Sequence, residues 1–166
     1  MGSVIPLKKS ANSAYLDLKN LLDNKLKSVE KLIHLKLKNN IGLINKMSNY
    51  HLSSGGKRIR ALLTMGAAKL GGYIEGSRDV NLAACVELIH SATLLHDDVV
   101  DESEIRRGIK TTNSMWGNQS SILVGDYLFS RCFEMMVEDG NLEILKLLSS
   151  ASSKIVLGEV MQLEHK

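Results

Sequence analysis

Proline is almost missing from this 166-residue chain, the single copy being Pro6. Proline removes a backbone donor and clashes with the preceding turn, so its absence after position 6 leaves long helices unopposed. Aromatic residues make up 4% of the chain and cysteine appears twice, as Cys85 and Cys132. Two thiols set in apolar helical patterns argue against a disulfide scaffold or a cysteine metal site and read as reduced core residues. No stretch approaches the ~18 consecutive apolar residues that a bilayer-spanning helix needs. Met1–Pro6 has neither the apolar core of a secretion signal nor a Ser or Thr at position 6 for myristoylation, so the expected location is the cytoplasm.

What is present describes a globular domain. The chain is 44% apolar with a mean hydropathy of −0.03, enough for one core. Its net charge is +3, with ten lysines up to Lys57 set against Asp17, Asp23 and Glu30. A basic front can attract anionic lipid or nucleic acid, but here apolar residues interleave with the lysines as on a solvated helix face. No nucleic-acid motif accompanies it, and a nucleic-acid partner is not expected.

Leu18, Leu22, Leu26, Val29, Ile33 and Leu37 recur at steps of three and four, which predicts an amphipathic helix over about 13–38. A second helix carrying Ile41, Ile44 and Met47 follows Asn39-Asn40. Ser53-Ser54-Gly55-Gly56 interrupts the pattern, and helix is expected to resume at Lys57 and run to Leu70, before Gly71-Gly72. Asp79 is a candidate cap for a long helix ending near Glu102. A loop and short helix over 106–118 and two further helices, about 121–138 and 142–165, complete the chain, with Asn141 capping the last. Nothing alternates in the manner of a strand, so the fold class is all-α.

The chemistry concentrates at the end of the fourth helix, in Glu87-Leu88-Ile89-His90 through Leu95-His96-Asp97-Asp98-Val99-Val100-Asp101. Asp97 and Asp101 stand four apart on one helix face, with side-chain origins roughly 5–6 Å apart. Acidic clusters on helices are commonly solvated surface, but these acids follow residues that are almost all apolar or small, and a buried charge needs a cation or a partner. Mg²⁺ suits that gap, because it binds through one or two carboxylates and keeps its remaining positions for water and substrate phosphate. His90, Leu94, Asp97 and Asp101 form one stripe, which brings an imidazole toward the same cavity. His90 alone reads equally as a hydrogen-bonded core histidine. Arg106-Arg107 follows, and arginine's planar fork of donors matches phosphate oxygens. Upstream, Gly55-Gly56 before a helix start offers backbone amides and a positive dipole end, with Lys57 and Arg60 on the first turn. By itself that segment reads as well as a hinge flanked by two solvated cations.

In combination, Gly55-Gly56-Lys57-Arg58-Ile59-Arg60, Asp97-Asp98-Val99-Val100-Asp101 and Arg106-Arg107-Gly108 resemble the trans-isoprenyl diphosphate synthase family, most closely its long-chain, octaprenyl-type branch. Gly117-Asn118, Leu123-Val124-Gly125-Asp126 and Gly158-Glu159-Val160-Met161-Gln162 extend the likeness. A proline that family members often carry after the first motif is Ala61 here. The resemblance implies an antiparallel helical bundle of the isoprenoid synthase type around a deep cavity. It also implies a prenyltransferase that joins isopentenyl diphosphate to an allylic diphosphate, giving a long all-trans polyprenyl diphosphate of the kind attached to quinone rings.

By the same resemblance, Lys57, Arg60, His90 and Arg107 hold isopentenyl diphosphate, Arg106 reaches the allylic diphosphate, and Asp97 and Asp101 bind Mg²⁺. Asp97, Asp101 and Arg106 form the catalytic group. Asp98, a helical step of 100° from Asp97, is expected to contact the ligating residues rather than the metal. Glu159 and Gln162 are expected to line the cavity. Ala92 and Thr93 occupy positions where short-chain relatives carry aromatic residues that floor the pocket, so small side chains there imply a long product.

Family members continue past the equivalent of Gln162 to a Lys-Thr pair and a second aspartate-rich helix. This sequence is therefore expected to be the N-terminal portion of a synthase domain, with helices over 1–54 and the motif-bearing core over 55–166. Its own turnover is expected to be negligible. A homodimer or pairing with a C-terminal half is the expected partnership, with membrane contact through the product. The competing reading is a non-catalytic or decayed half-synthase that serves as a diphosphate-binding partner subunit.

Overall fold

The computed structural model describes residues 10–165, so the reading of Met1–Pro6 lies outside the described residues. Among them are seven helices: α1 (Ala11–Leu37), α2 (Gly42–Ser53), α3 (Ile59–Leu70), α4 (Arg78–Val100), α5 (Thr112–Trp116), α6 (Asn118–Asp139) and α7 (Leu142–Glu164). The Ser10 hydroxyl caps α1 by accepting from the Ser13 amide at 3.2 Å. The α1 stripe then buries Leu22, Leu26, Val29, Ile33 and Leu37, as the periodicity predicts. Asn141 caps α7 by accepting from the Glu143 and Ile144 amides at 3.0 Å each.

Helix α4 runs through the middle of the bundle, packed against α1, α3, α5 and α6. It is buried on most sides, and Ala83, Ala84, Cys85, Ser91 and Ala92 are small enough to let its neighbours approach closely. The core joins α4 through Leu88 and Leu95 to Val29, Leu62, Met65 and Leu128. Cys85 and Cys132 are both buried free thiols in this core. On α6, Gly125 gives the His96 ring its space, because a Cβ there would collide with it. Helix α7 is different: Ser152 is its one buried residue, and Ile155, Val156, Leu157, Val160, Met161 and Leu163 are exposed.

Three local expectations change. Lys57 and Arg58 precede α3 rather than forming its first turn, and Arg58, the residue flanking the helix, is left-handed at φ 48°. Ser77, not Asp79, flanks the start of α4; Asp79 is buried in the first turn, where it pairs with Lys25 of α1. The stretch after α4 is not plain loop, since Ile105–Arg106 (β1) and Ile109–Lys110 (β2) pair antiparallel. The two turn residues, Arg107 and Gly108, have φ of 54° and 81°. Tight hairpins that match strand twist need positive φ at both central positions, which Gly108 adopts freely and Arg107 only with strain. No helix among the described residues is long and apolar enough to cross a membrane.

Candidate active site

Two cavities meet against α4. The first, of about 500 Å³, is walled by the 54–60 segment, by His51 of α2, by Glu87, His90 and Leu94 of α4, and by Arg106 and Arg107 of the hairpin. It collects Lys57, Arg58, Arg60, Arg106 and Arg107 around two imidazoles. The second, of about 300 Å³, lies between α4 and α7 and is lined by Val86, Ile89, Thr93, Leu148 and Ile155, with Asp97 and Glu159 also in its wall. Arg60, His90 and Leu94 line both. A cationic chamber thus opens beside an apolar one that carries carboxylates.

The cationic wall is held from several directions. Arg107 donates to the Gly55 carbonyl across the mouth. A Cβ on Gly56 would lie 2.8 Å from the Arg107 Nη1, so a side chain there would push that guanidinium aside. Tyr15 of α1 donates its hydroxyl to the Lys57 carbonyl at 3.3 Å, and the Lys57 ammonium lies 5.6 Å from the centre of the same ring. Burial, reinforced by the surrounding arginines, drives His51 and His90 down to a pKa of about 4. Both imidazoles are therefore neutral at pH 7 and add no charge until an anion offsets the arginines.

Carboxylates gather where α4 ends. A helix C-terminus is the negative end of its dipole, so Asp97, Asp98 and Asp101 there are costly without cations. Asp98 is 1% exposed, and its Oδ1 accepts from Nε of Arg106 at 2.8 Å and lies 2.8 Å from Nη2 of the same guanidinium. Asp97 is half-buried, and its carboxyl is raised above the ordinary range, by burial first and then by Glu159, with Arg106 acting in the other direction. Asp101 is the exposed residue that closes the helix. No three His, Cys, Asp or Glu side chains among the described residues form a ready metal cluster. Asp97 and Asp101 nonetheless fit a hard cation that takes few protein oxygens: they are oxygen donors one turn apart at a negative helix end, and Glu159 crowds Asp97 with like charge.

Lys57, Arg60, His90, Arg106 and Arg107 share the cationic cavity, and Asp97, Thr93 and Glu159 share the apolar one. The remaining candidates, Asp101 at the end of α4, Ala92 and Gln162, line neither cavity. Ala92 is 1% exposed within the core, and Gln162 is exposed on α7 beyond both. His51, Arg58 and Glu87 are wall residues that sequence reasoning left without a role. For Glu87 the signal was available, because it lies three residues before His90 and so on the same helix face. His51 had none, since its place depends on how α2 meets the hairpin.

The model of the polyprenyl synthetase family matches residues 41–166. The chain belongs to that family. It is 49% identical over 128 residues to the octaprenyl diphosphate synthase of Escherichia coli (strain K12), covering 77% of this chain and 39% of that one. The crystal structure of a decaprenyl diphosphate synthase from Rhodobacter capsulatus superposes with a TM-score of 0.86 at 45% identity, over 90% of this chain and 46% of that one. A polyprenyl synthase from Caulobacter crescentus CB15, complexed with calcium and isoprenyl diphosphate, superposes with a TM-score of 0.88 at 41% identity, over 95% and 47% of the two chains. The all-α isoprenoid synthase fold is shared with these structures. The chain thus spans roughly two fifths to one half of the relatives it matches.

Proposed function

We propose that the chain carries the first diphosphate- and metal-binding portion of a trans-prenyltransferase that joins isopentenyl diphosphate to an allylic diphosphate. The observation behind this reading is the junction of the two cavities at Arg60, His90 and Leu94. A condensation needs two diphosphates whose reactive carbons meet, one seated among cations and the other with its hydrocarbon tail in an apolar groove.

In this reading Lys57, Arg60, Arg107 and His90 hold isopentenyl diphosphate in the cationic chamber, and the allylic tail lies between α4 and α7. Arg106, aimed by Asp98, stabilises the negative charge that develops on departing pyrophosphate. Val86, Ile89, Leu94 and Ile155 exclude the water that would quench an allylic cation before the neighbouring double bond attacks. Asp97 and Asp101 are the residues that would hold Mg²⁺, which supplies Lewis-acid neutralisation of the allylic diphosphate when bound. Thr93, rather than an aromatic ring, lines the apolar cavity, which supports a long product of the quinone side-chain type. The exposed apolar stripe of α7 supports completion of the site by a further helical segment, from the same chain or a companion subunit. A cytoplasmic enzyme that meets the membrane through its product, as a dimer or a paired assembly, is the corresponding biological setting.

The test is product formation from labelled isopentenyl diphosphate and an allylic primer with Mg²⁺. The chain is assayed alone and with the complementary segment of an octaprenyl-type synthase. Negligible turnover alone and chain elongation on complementation are expected. Failure of elongation with a folded, complemented protein would contradict the proposal.

A further inference from the structure

Glu87 is a buried carboxylate, 3% exposed, in the wall of a cavity whose other charged residues are all cations. A negative charge is the wrong sign for an anion site, unless its oxygens are committed elsewhere. They are. Oε1 of Glu87 accepts from the Ala61 amide in the first turn of α3 at 3.0 Å, and Oε2 lies 3.7 Å from Nη1 of Arg58. The residue before α3 supplies no side-chain cap, so a carboxylate from α4 satisfies that helix start instead. The α3 N-terminus is thereby partly spent, and a diphosphate in this cavity depends on side chains more than on helix amides.

Arg58 makes the second half of the arrangement. Its guanidinium donates to the Leu52 carbonyl of α2 at 2.9 Å and lies 3.6 Å from Glu30 of α1, besides facing Glu87 of α4. Its backbone is left-handed, a conformation that a non-glycine residue keeps only when its surroundings hold it there. Lys57 precedes Arg58 and Arg60 lies two residues beyond, so the direction of both depends on this one held residue.

We propose that Glu87 is the positioning residue of the cationic cavity: by bonding the Ala61 amide and pairing with Arg58, it fixes the 55–60 segment so that Lys57 and Arg60 converge on a diphosphate. This assignment rests on the diphosphate reading of the cavity given above. Glu87 itself touches no ligand.

The two roles open to a carboxylate here differ in sign. If Glu87 only adds negative charge to the wall, neutralising it must tighten anion binding; if it positions the cations, neutralising it must loosen binding. Calorimetry with inorganic pyrophosphate in a chelating buffer, on the full 166-residue chain, separates them. Glu87→Gln keeps an acceptor for Ala61 and loses the charge facing Arg58, and about threefold weaker binding is expected; Glu87→Ala loses both, and about tenfold is expected. On an Arg60→Ala background the Glu87→Ala effect should shrink, because one of the two donors it aims is gone. Circular dichroism checks folding, and Glu87→Gln carries the test if Glu87→Ala does not fold. Equal or tighter pyrophosphate binding by a folded Glu87 variant, or an undiminished effect on the Arg60→Ala background, would overturn the inference alone. Absence of pyrophosphate binding by the unaltered chain would overturn the diphosphate reading and this inference with it.

Discussion

Arg106 grips Asp98 through two nitrogens, Nε and Nη2, each 2.8 Å from the same buried carboxylate oxygen. The pair ties the hairpin to the end of α4 and fixes where the arginine of the catalytic group begins. Removing one partner strands the other. Arg106→Ala leaves a buried carboxylate at the negative end of a helix, and a loss of about 2–4 kcal/mol in urea unfolding at neutral pH is expected. An effect below about 0.5 kcal/mol would mean that the pair is screened like an exposed surface bridge.

Sequence periodicity made α1 and α6 legible because each carries a buried stripe beside a solvated one, and Asn141 marked the start of α7. α4 and its burial were legible from composition instead, because a helix packed on nearly all sides has no polar face and the residues before Asp97 are almost all apolar or small. The hairpin at 105–110 escaped because two-residue strands leave no alternation, although Arg107-Gly108 is compatible with its tight turn. Lys57, Arg60, His90, Arg106 and Arg107 were collected by motif alone, and the fold brings all five to one cavity. Arg58 and Glu87 were given no role: Arg58 stood inside the first motif and Glu87 on the His90 face of α4, but the contact that joins them to each other and to the α3 start spans 26 residues or more of chain.

Ala92 and Thr93 are neighbours in sequence but face different surroundings, one the core and the other the apolar cavity. Ala92→Phe should therefore act on stability, with overpacking costing about 1–3 kcal/mol or more in denaturant unfolding. Thr93→Phe should act on the cavity. In a complemented, active assembly, chromatography of labelled products should show shorter chains for Thr93→Phe, with the early condensations intact. An unchanged product profile would remove Thr93 from the tunnel wall.

His51 gives the pH dependence a sign. Its folded pKa of about 4 lies below its ordinary 6.5, so the unfolded chain takes up the proton first as pH falls. The stability it contributes is complete above pH 6.5 and is lost as pH falls toward 4. Replacing it by Gln removes that dependence. The difference in unfolding free energy between wild type and His51→Gln should shift by about 3 kcal/mol in favour of the variant between pH 7 and pH 4. Parallel pH profiles would show that the imidazole is not held neutral by burial and its arginine neighbours.

Asp97 carries the same argument in the opposite direction. Its carboxyl is raised by burial and by Glu159, so its protonated form is favoured in the folded chain. The stability linked to that proton is present at low pH and is lost as pH rises through the raised pKa. In metal-free buffer at pH 7, Asp97→Asn should raise the thermal midpoint by about 1–2 °C, as measured by calorimetry. A lower midpoint would indicate that Asp97 is already satisfied within the protein.

In the proposed site one cavity holds a diphosphate through cations and the other through a metal at the end of α4. The most direct measurement is calorimetric titration of a non-reactive allylic diphosphate analogue, with Mg²⁺ and with a chelator, into wild type and the Asp97→Ala/Asp101→Ala double variant. Mg²⁺-dependent binding by wild type, its loss in the double variant, and isopentenyl diphosphate binding retained in both are expected. Mg²⁺-dependent binding of the analogue that survives loss of both carboxylates would contradict a metal site at Asp97 and Asp101.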